Sequence, residues 1–201
     1  MKPYKSSIEK YPEAFITSQR VLDFYETKYF PFNIKDDIEH LFSSTIYITT
    51  KSEYIEFKSV TNDFSFSSSI ETLQDGRTYY DPNRDLYLIV YNEDKPINRT
   101  RFTLAHEFGH IMLHHLTDKR TEIDRGGLSN TIYYRMEGEA NSFAGNLLVP
   151  PIIIYAKYKN AINPEKIAND FNLSFSAVQD YRLADYTYWS QFRHCSGIVN
   201  L

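Results

Sequence analysis

The 201-residue sequence predicts an α+β fold, with a few strands among several helices. Three observations lead there. Apolar residues recur at helical spacing in several stretches, and the region 45–57 is rich in β-branched and aromatic residues. The continuous apolar run Leu86 to Tyr91 feeds straight into a helix-period segment that holds His106-Glu107-Phe108-Gly109-His110.

In chain order, Val21, Leu22, Phe24, Tyr25 and Tyr29 fall at roughly helical spacing, which predicts an amphipathic helix from Ile16 to about Phe30, stopped by Pro31. A second, short helix is expected over 34–42. Asn33 is placed to cap it, and Asp36 and Asp37 sit near the positive end of its dipole. Thr45 to Thr50 and Tyr54 to Phe57 then read as two strands separated by Lys51-Ser52-Glu53. Residues 61–75 show no clear period, and Asp75-Gly76 marks a turn.

The strand at 86–91 does not alternate, so it reads as a fully buried central strand or as an edge that could pair an extended segment. The helix after it is expected to be capped by Asn98 or Thr100 and to run to about His115. Another long helix is expected from near Tyr133 to Leu148, ended by Pro150-Pro151. Ile152 to Trp189 is helical by pattern: Asn163-Pro164 opens one helix, and Asn172-Leu173-Ser174 separates it from the next. The expected organisation is one domain over 1–150 with a C-terminal helical extension, 151–201, packed on it.

The chemistry follows from spacing. Residues four apart stack on one helix face, so His106 and His110 can reach one ion while Glu107 is turned toward a water on it. A catalytic zinc needs a third protein ligand. His114 continues the row, but it lies about 12 Å along the axis from His106, too far for one ion on a straight helix. His114 and His115 therefore read as surface or packing histidines. Leu113 and Leu116 occupy the positions where a metzincin carries Gly and His, which excludes that class. The remaining plan takes a carboxylate from the next helix, and periodicity leaves both Glu137 and Glu139 open. Gly109, costly inside a helix, predicts a close neighbour, with strand 86–91 the natural one.

The segments 101–110 (Arg-Phe-Thr-Leu-Ala-His-Glu-Phe-Gly-His) and 137–150 (Glu-Gly-Glu-Ala-Asn-Ser-Phe-Ala-Gly-Asn-Leu-Leu-Val-Pro) together resemble the ImmA/IrrE family of zinc metallo-endopeptidases. The resemblance extends more loosely from Pro31 to Pro150. It implies a small gluzincin-like fold with a short mixed sheet beside the active-site helix, and Glu139 as the third ligand of Zn2+ after His106 and His110. In that reading the zinc polarises a water and Glu107 takes its proton as a peptide carbonyl is attacked. Tyr133, Tyr134 and Arg135 stand just upstream of the ligand helix, and none is chosen as the oxyanion donor; Asn141 is a candidate orienting group. The resemblance further implies a regulatory endopeptidase that cleaves or inactivates an Xre-type, helix-turn-helix repressor of a phage or mobile element. The alternative is a non-proteolytic repressor- or antitoxin-binding module, or the toxin of an Xre-type pair.

Composition bounds the rest. A net charge of -4 and pI near 5.9 give no global basic field. Residues 164–179 read like a helix-turn-helix, with Ala168 at the crossing and Ser174 as a cap. Asp180 and Asp185 against Arg182 make a poor phosphate surface, so a structural or docking role is favoured and direct nucleic acid binding is not expected. The single Cys195 suits a reducing cytosol, and no leader or bilayer-length apolar run is seen, so a cytoplasmic protein is expected. His194-Cys195 reads as an ordinary tail.

Overall fold

The computed structural model describes residues 6–24, 33–60, 70–123, 128–158 and 163–181. Four helices and a strand open the chain. Helix α1 (Ser7–Lys10) starts on a reciprocal cap between Ser6 and Glu9, and α2 (Pro12–Phe24) follows with Pro12 in its first turn. Residues 25–32, the expected remainder of that helix, lie outside the described residues. Helix α3 (Ile34–Leu41) forms where expected, burying Ile34 and Ile38, although the Asn33 side chain makes no cap bond to its backbone. Strand β1 (Ile46–Thr50) leads directly into α4 (Lys51–Val60).

Helix α4 corrects the expected second strand at 54–57. The sequence Thr50-Lys51-Ser52-Glu53 is a capping box: the Thr50 hydroxyl accepts from the Glu53 N–H at 3.1 Å, and the Glu53 carboxylate accepts from the Thr50 N–H at 2.9 Å. Glu93, from a distant loop, accepts from the Lys51 and Ser52 N–H groups at 3.1 and 3.2 Å, placing negative charge at the helix N-terminus. With those donors satisfied, the aromatic and β-branched residues take helical spacing. Tyr54 turns inward to pack with Ile70, Leu73, Tyr79 and Val90.

Strand β2 (Gly76–Asp81), at the point read as a turn, and β3 (Leu86–Tyr91) form a hairpin whose loop holds Asp85 at φ 50°. The sheet order is β1-β3-β2, with β1 parallel and β2 antiparallel to β3. The sheet is therefore mixed and β3 is central, which removes the edge-strand alternative and explains its unalternating apolar run. Ile89 and Val90 are fully buried.

Helix α5 (Ile97–Met112) begins after Pro96 rather than at a capping Asn98 or Thr100; the Thr100 hydroxyl instead donates to the Lys95 carbonyl. Helix α6 (Asn130–Leu148) starts three residues earlier than expected because the Ser129 hydroxyl accepts from the Ile132 N–H. It ends before Pro150, and Pro151 opens α7 (Pro151–Tyr158). Helices α8 (Pro164–Asp170) and α9 (Phe175–Tyr181) are joined by a tight turn with Asn172 at φ 52°. Asn163 caps the first and Ser174 accepts from the Ala177 N–H at the second. The run beyond, with Arg182, Asp185, Trp189, His194 and Cys195, lies outside the described residues, as do 61–69 and 124–127.

Helices α5 and α6 pack face to face through Leu104, Ala105, Phe108 and Ile111 on one side and Phe143, Ala144 and Leu147 on the other. Ala14 and Val21 of α2, Ile167 and Phe171 of α8 and Val178 of α9 belong to the same buried cluster. The pair packs closely at Gly109, and the neighbour there is α6, not the strand. A Cβ there would lie 3.0 Å from Phe143 Cδ1 and 3.3 Å from the Ala140 carbonyl oxygen. The Phe143 ring is pinned edge-on against Phe108 at 5.8 Å, so it cannot yield cheaply. Gly109→Ala is expected to lower stability by about 1–3 kcal/mol despite the better helix propensity of Ala. Thermal denaturation reads this as a fall of about 2–4 °C per kcal/mol for a chain of this size.

Candidate metal centre

His106 and His110 lie one turn apart on α5, with their rings edge to face at 4.8 Å. Their Nε2 atoms are 3.1 Å apart. From α6, Glu137 Oε2 is 3.5 Å from His106 Nε2 and Glu137 Oε1 is 3.5 Å from His110 Nε2. One ligand atom from each of these three residues falls within 4.8 Å of the others, the only such group of three or more His, Cys, Asp or Glu among the described residues.

Glu139, the ligand the resemblance implied, is not in this group. Its Oε1 accepts from Arg135 Nε at 2.8 Å, and its Oε2 pairs with His115 Nε2 at 3.1 Å. Helix geometry accounts for the difference. Glu137, Ala140, Asn141 and Ala144 follow the i, i+3, i+4, i+7 row of one face, while Glu139 is turned two residues away. Of the two carboxylates that periodicity left open, the structure brings Glu137 to the His106 and His110 imidazoles and sets Glu139 against His115 and Arg135.

The outer nitrogens of both rings are also held. His106 Nδ1 meets Asn141 Oδ1 at 2.9 Å, and His110 Nδ1 meets His115 Nδ1 at 2.8 Å. An Nδ1–H donated to Asn141 leaves His106 Nε2 a bare lone pair aimed at its neighbour, an arrangement that a shared cation relieves. Two imidazole nitrogens and a carboxylate oxygen are a donor set that Zn2+ accepts while keeping a fourth position for water, so the residues fit the metal.

The electrostatics agree in sign. Burial opposes charge on His106, but Glu137, Glu107 and Asn141 outweigh it and raise its pKa. Burial likewise works against ionisation of Glu137, but the two imidazoles hold its carboxyl well below the usual range. Burial, with His110 beside it, pushes the His115 imidazole down.

Glu107 is buried on the side of α5 that faces the sheet. The Thr78 hydroxyl of β2 donates to its Oε2 at 2.8 Å. That contact spans 29 residues, and its only sequence signal was the β-branched and aromatic Thr78-Tyr79-Tyr80. Gly76 lets the strand come this close to α5, since a Cβ there would lie 2.5 Å from Thr103 Cγ2 and 3.3 Å from Glu107 Cγ. Of the residues considered as oxyanion donors, Arg135 is paired with Glu139, and the Tyr133 and Tyr134 rings pack edge to face at 5.6 Å. His114 ends α5 at φ 55° and stays out of the metal group, whereas His115 is buried against it.

Two histidines on one helix with a glutamate between them, and a carboxylate from the following helix, define a metallopeptidase-type centre. The chain belongs to peptidase family M78, the IrrE N-terminal-like domain, whose family model matches residues 66–183. That span contains all of His106, Glu107, His110, Glu137 and Glu139. The family is one of metallopeptidases, which implies a metal, typically zinc. Curated proteins provide no significant match. Among solved structures, a Mycobacterium tuberculosis transcriptional regulator is similar at 13% identity and a TM-score of 0.46, covering 83% of this chain and 45% of that one. The present chain thus spans less than half of that protein. No helix among the described residues is long and apolar enough to cross a membrane.

Proposed function

We propose that this protein is a zinc-dependent endopeptidase with a regulatory role, acting in the cytoplasm on a helix-turn-helix repressor of a phage or mobile element. The observation that carries the enzymatic part is the convergence of His106 Nε2, His110 Nε2 and Glu137 beside a glutamate already held by a strand. When bound, zinc supplies a Lewis acid that lowers the pKa of water toward about 7 and polarises the scissile carbonyl.

The chain's own residues do the rest. His106, His110 and Glu137 would hold the ion, with Asn141 keeping His106 in the tautomer that presents Nε2. Glu107 accepts the water proton on its carboxylate and returns it to the leaving amine. The Thr78 hydroxyl occupies one lone pair of Oε2, so the carboxylate keeps one orientation through both transfers. Because β3 is central, an extended substrate would add to the outer edge of β2 near Gly76–Thr78, beside Glu107; farther along, that edge is taken by the Tyr80 N–H to Thr121 carbonyl bond. The α8–α9 pair is assigned a structural or partner-docking role.

The partner is inferred from the family resemblance and is tested directly. The zinc-loaded protein is incubated with the product of the neighbouring gene, and discrete fragments are expected by mass spectrometry. An intact partner in a stoichiometric complex, equally released from its operator, would instead favour the non-proteolytic binding or toxin reading.

A further inference from the structure

The two histidines of the centre are backed differently. His106 rests on an amide, whereas His110 Nδ1 meets a second imidazole, His115, at 2.8 Å. His115 Nε2 in turn lies 3.1 Å from Glu139 Oε2, and Arg135 Nε donates to Glu139 Oε1 at 2.8 Å. We propose that His115, anchored by Glu139 and Arg135, is a positioning residue that fixes the tautomer and aim of His110 toward a metal. This rests on the assignment of His110 as a ligand made above.

For a neutral His115 the proton inventory has one solution. A carboxylate only accepts, so His115 Nε2 carries the hydrogen that Glu139 receives. The remaining nitrogen of a neutral ring is then bare, and His115 Nδ1 can only accept. His110 Nδ1 must therefore donate, which leaves the His110 Nε2 lone pair facing His106 and Glu137. Arg135 balances the Glu139 charge, so the relay ends in an ion pair.

The backbone delivers His115 to this place. Helix α5 ends in a Schellman motif: the His115 N–H donates to the His110 carbonyl at 2.9 Å and the His114 N–H to the Ile111 carbonyl at 3.0 Å. His114 takes the left-handed conformation such a motif requires. The first and last residues of that motif usually make a hydrophobic contact, and here it is replaced by two imidazoles with centroids 5.0 Å apart. Arg120 donates to the His115 carbonyl at 2.9 Å and fixes the turn from the other side. Nothing in this arrangement needs His115 to touch the ion.

The test measures metal affinity without catalysis. Metal-free wild type, His115→Leu, His115→Asn and Glu139→Ala are titrated with zinc against a competing chelator, and cobalt spectra and metal-free melting curves are recorded alongside. Leu fills similar space but accepts no hydrogen bond, while Asn places Oδ1 near the position of the imidazole Nδ1. His115→Leu is expected to bind zinc about 10–100-fold more weakly, with an altered cobalt spectrum, while His115→Asn stays close to wild type. If His115→Leu does not fold, Glu139→Ala carries the test with a weakening in the same direction. Equal affinity of wild type, His115→Leu and Glu139→Ala, or equal loss in the Leu and Asn variants, would overturn the proposal. Failure of the wild type itself to bind zinc would overturn the metal centre on which it rests.

Discussion

Glu107→Gln is expected to lower peptide hydrolysis by about 10²–10⁴-fold while leaving zinc stoichiometry unchanged. Glutamine has the shape of glutamate, and its carbonyl can still accept from the Thr78 hydroxyl, so the contact between α5 and β2 survives. What is lost is the capacity to take and return a proton. Glu107 lies outside the group formed by His106, His110 and Glu137, so the variant retains the ligands. Single-turnover cleavage of the partner, paired with metal analysis of the same sample, checks both halves. Undiminished cleavage would remove Glu107 as the base, and loss of metal would place it among the ligands.

Replacing Glu137 should strip the centre of its metal, whereas replacing Glu139 should only loosen it. Glu137 faces both Nε2 atoms at 3.5 Å and is the single carboxylate in the group. Glu137→Ala is therefore expected to reduce zinc affinity by more than the roughly 10–100-fold typical of an outer partner, and Glu139→Ala by an amount within that range. Isothermal titration of the two variants under identical buffer conditions gives the order. The reverse order would favour Glu139 as the third ligand, as the family resemblance implied. Losing Glu137 also leaves the two imidazoles without their anion, so the metal-free variant should bind protons less readily at His106, whose pKa Glu137 raises. In a histidine titration by NMR the His106 transition then moves to lower pH.

The legible parts of this molecule were those governed by local rules. His106 and His110 declared themselves by helical spacing, the strand at 86–91 by its apolar run, and α8 by Asn163-Pro164. Where two local rules compete, composition alone points to the wrong element. Tyr54 to Phe57 has strand-like composition, but the Thr50/Glu53 capping box and the distant Glu93 carboxylate made it a helix. The choice between Glu137 and Glu139 depended on the rotation of α6 against α5. That rotation is fixed by Gly109 meeting Phe143 and Ala140, contacts about 30 residues apart in sequence. Helical extrapolation puts His115 a turn away from the site, which is why it reads as a surface or packing histidine. The left-handed His114 folds it back, and a histidine at that position gives no glycine-like warning.

The hairpin of β2 and β3, the short link to α5 and α5 itself form one stretch, Gly76 to Met112. Thr78, His106, Glu107 and His110 all lie within it, and its contacts are mostly between near neighbours in the chain. Such local units close cheaply and form early, whereas the parallel pairing of Ile46 with Tyr87 must first close a loop of about 40 residues. Glu107 and the two imidazoles therefore belong to one local unit, and the Glu137 carboxylate joins the imidazoles only when α6 docks on α5.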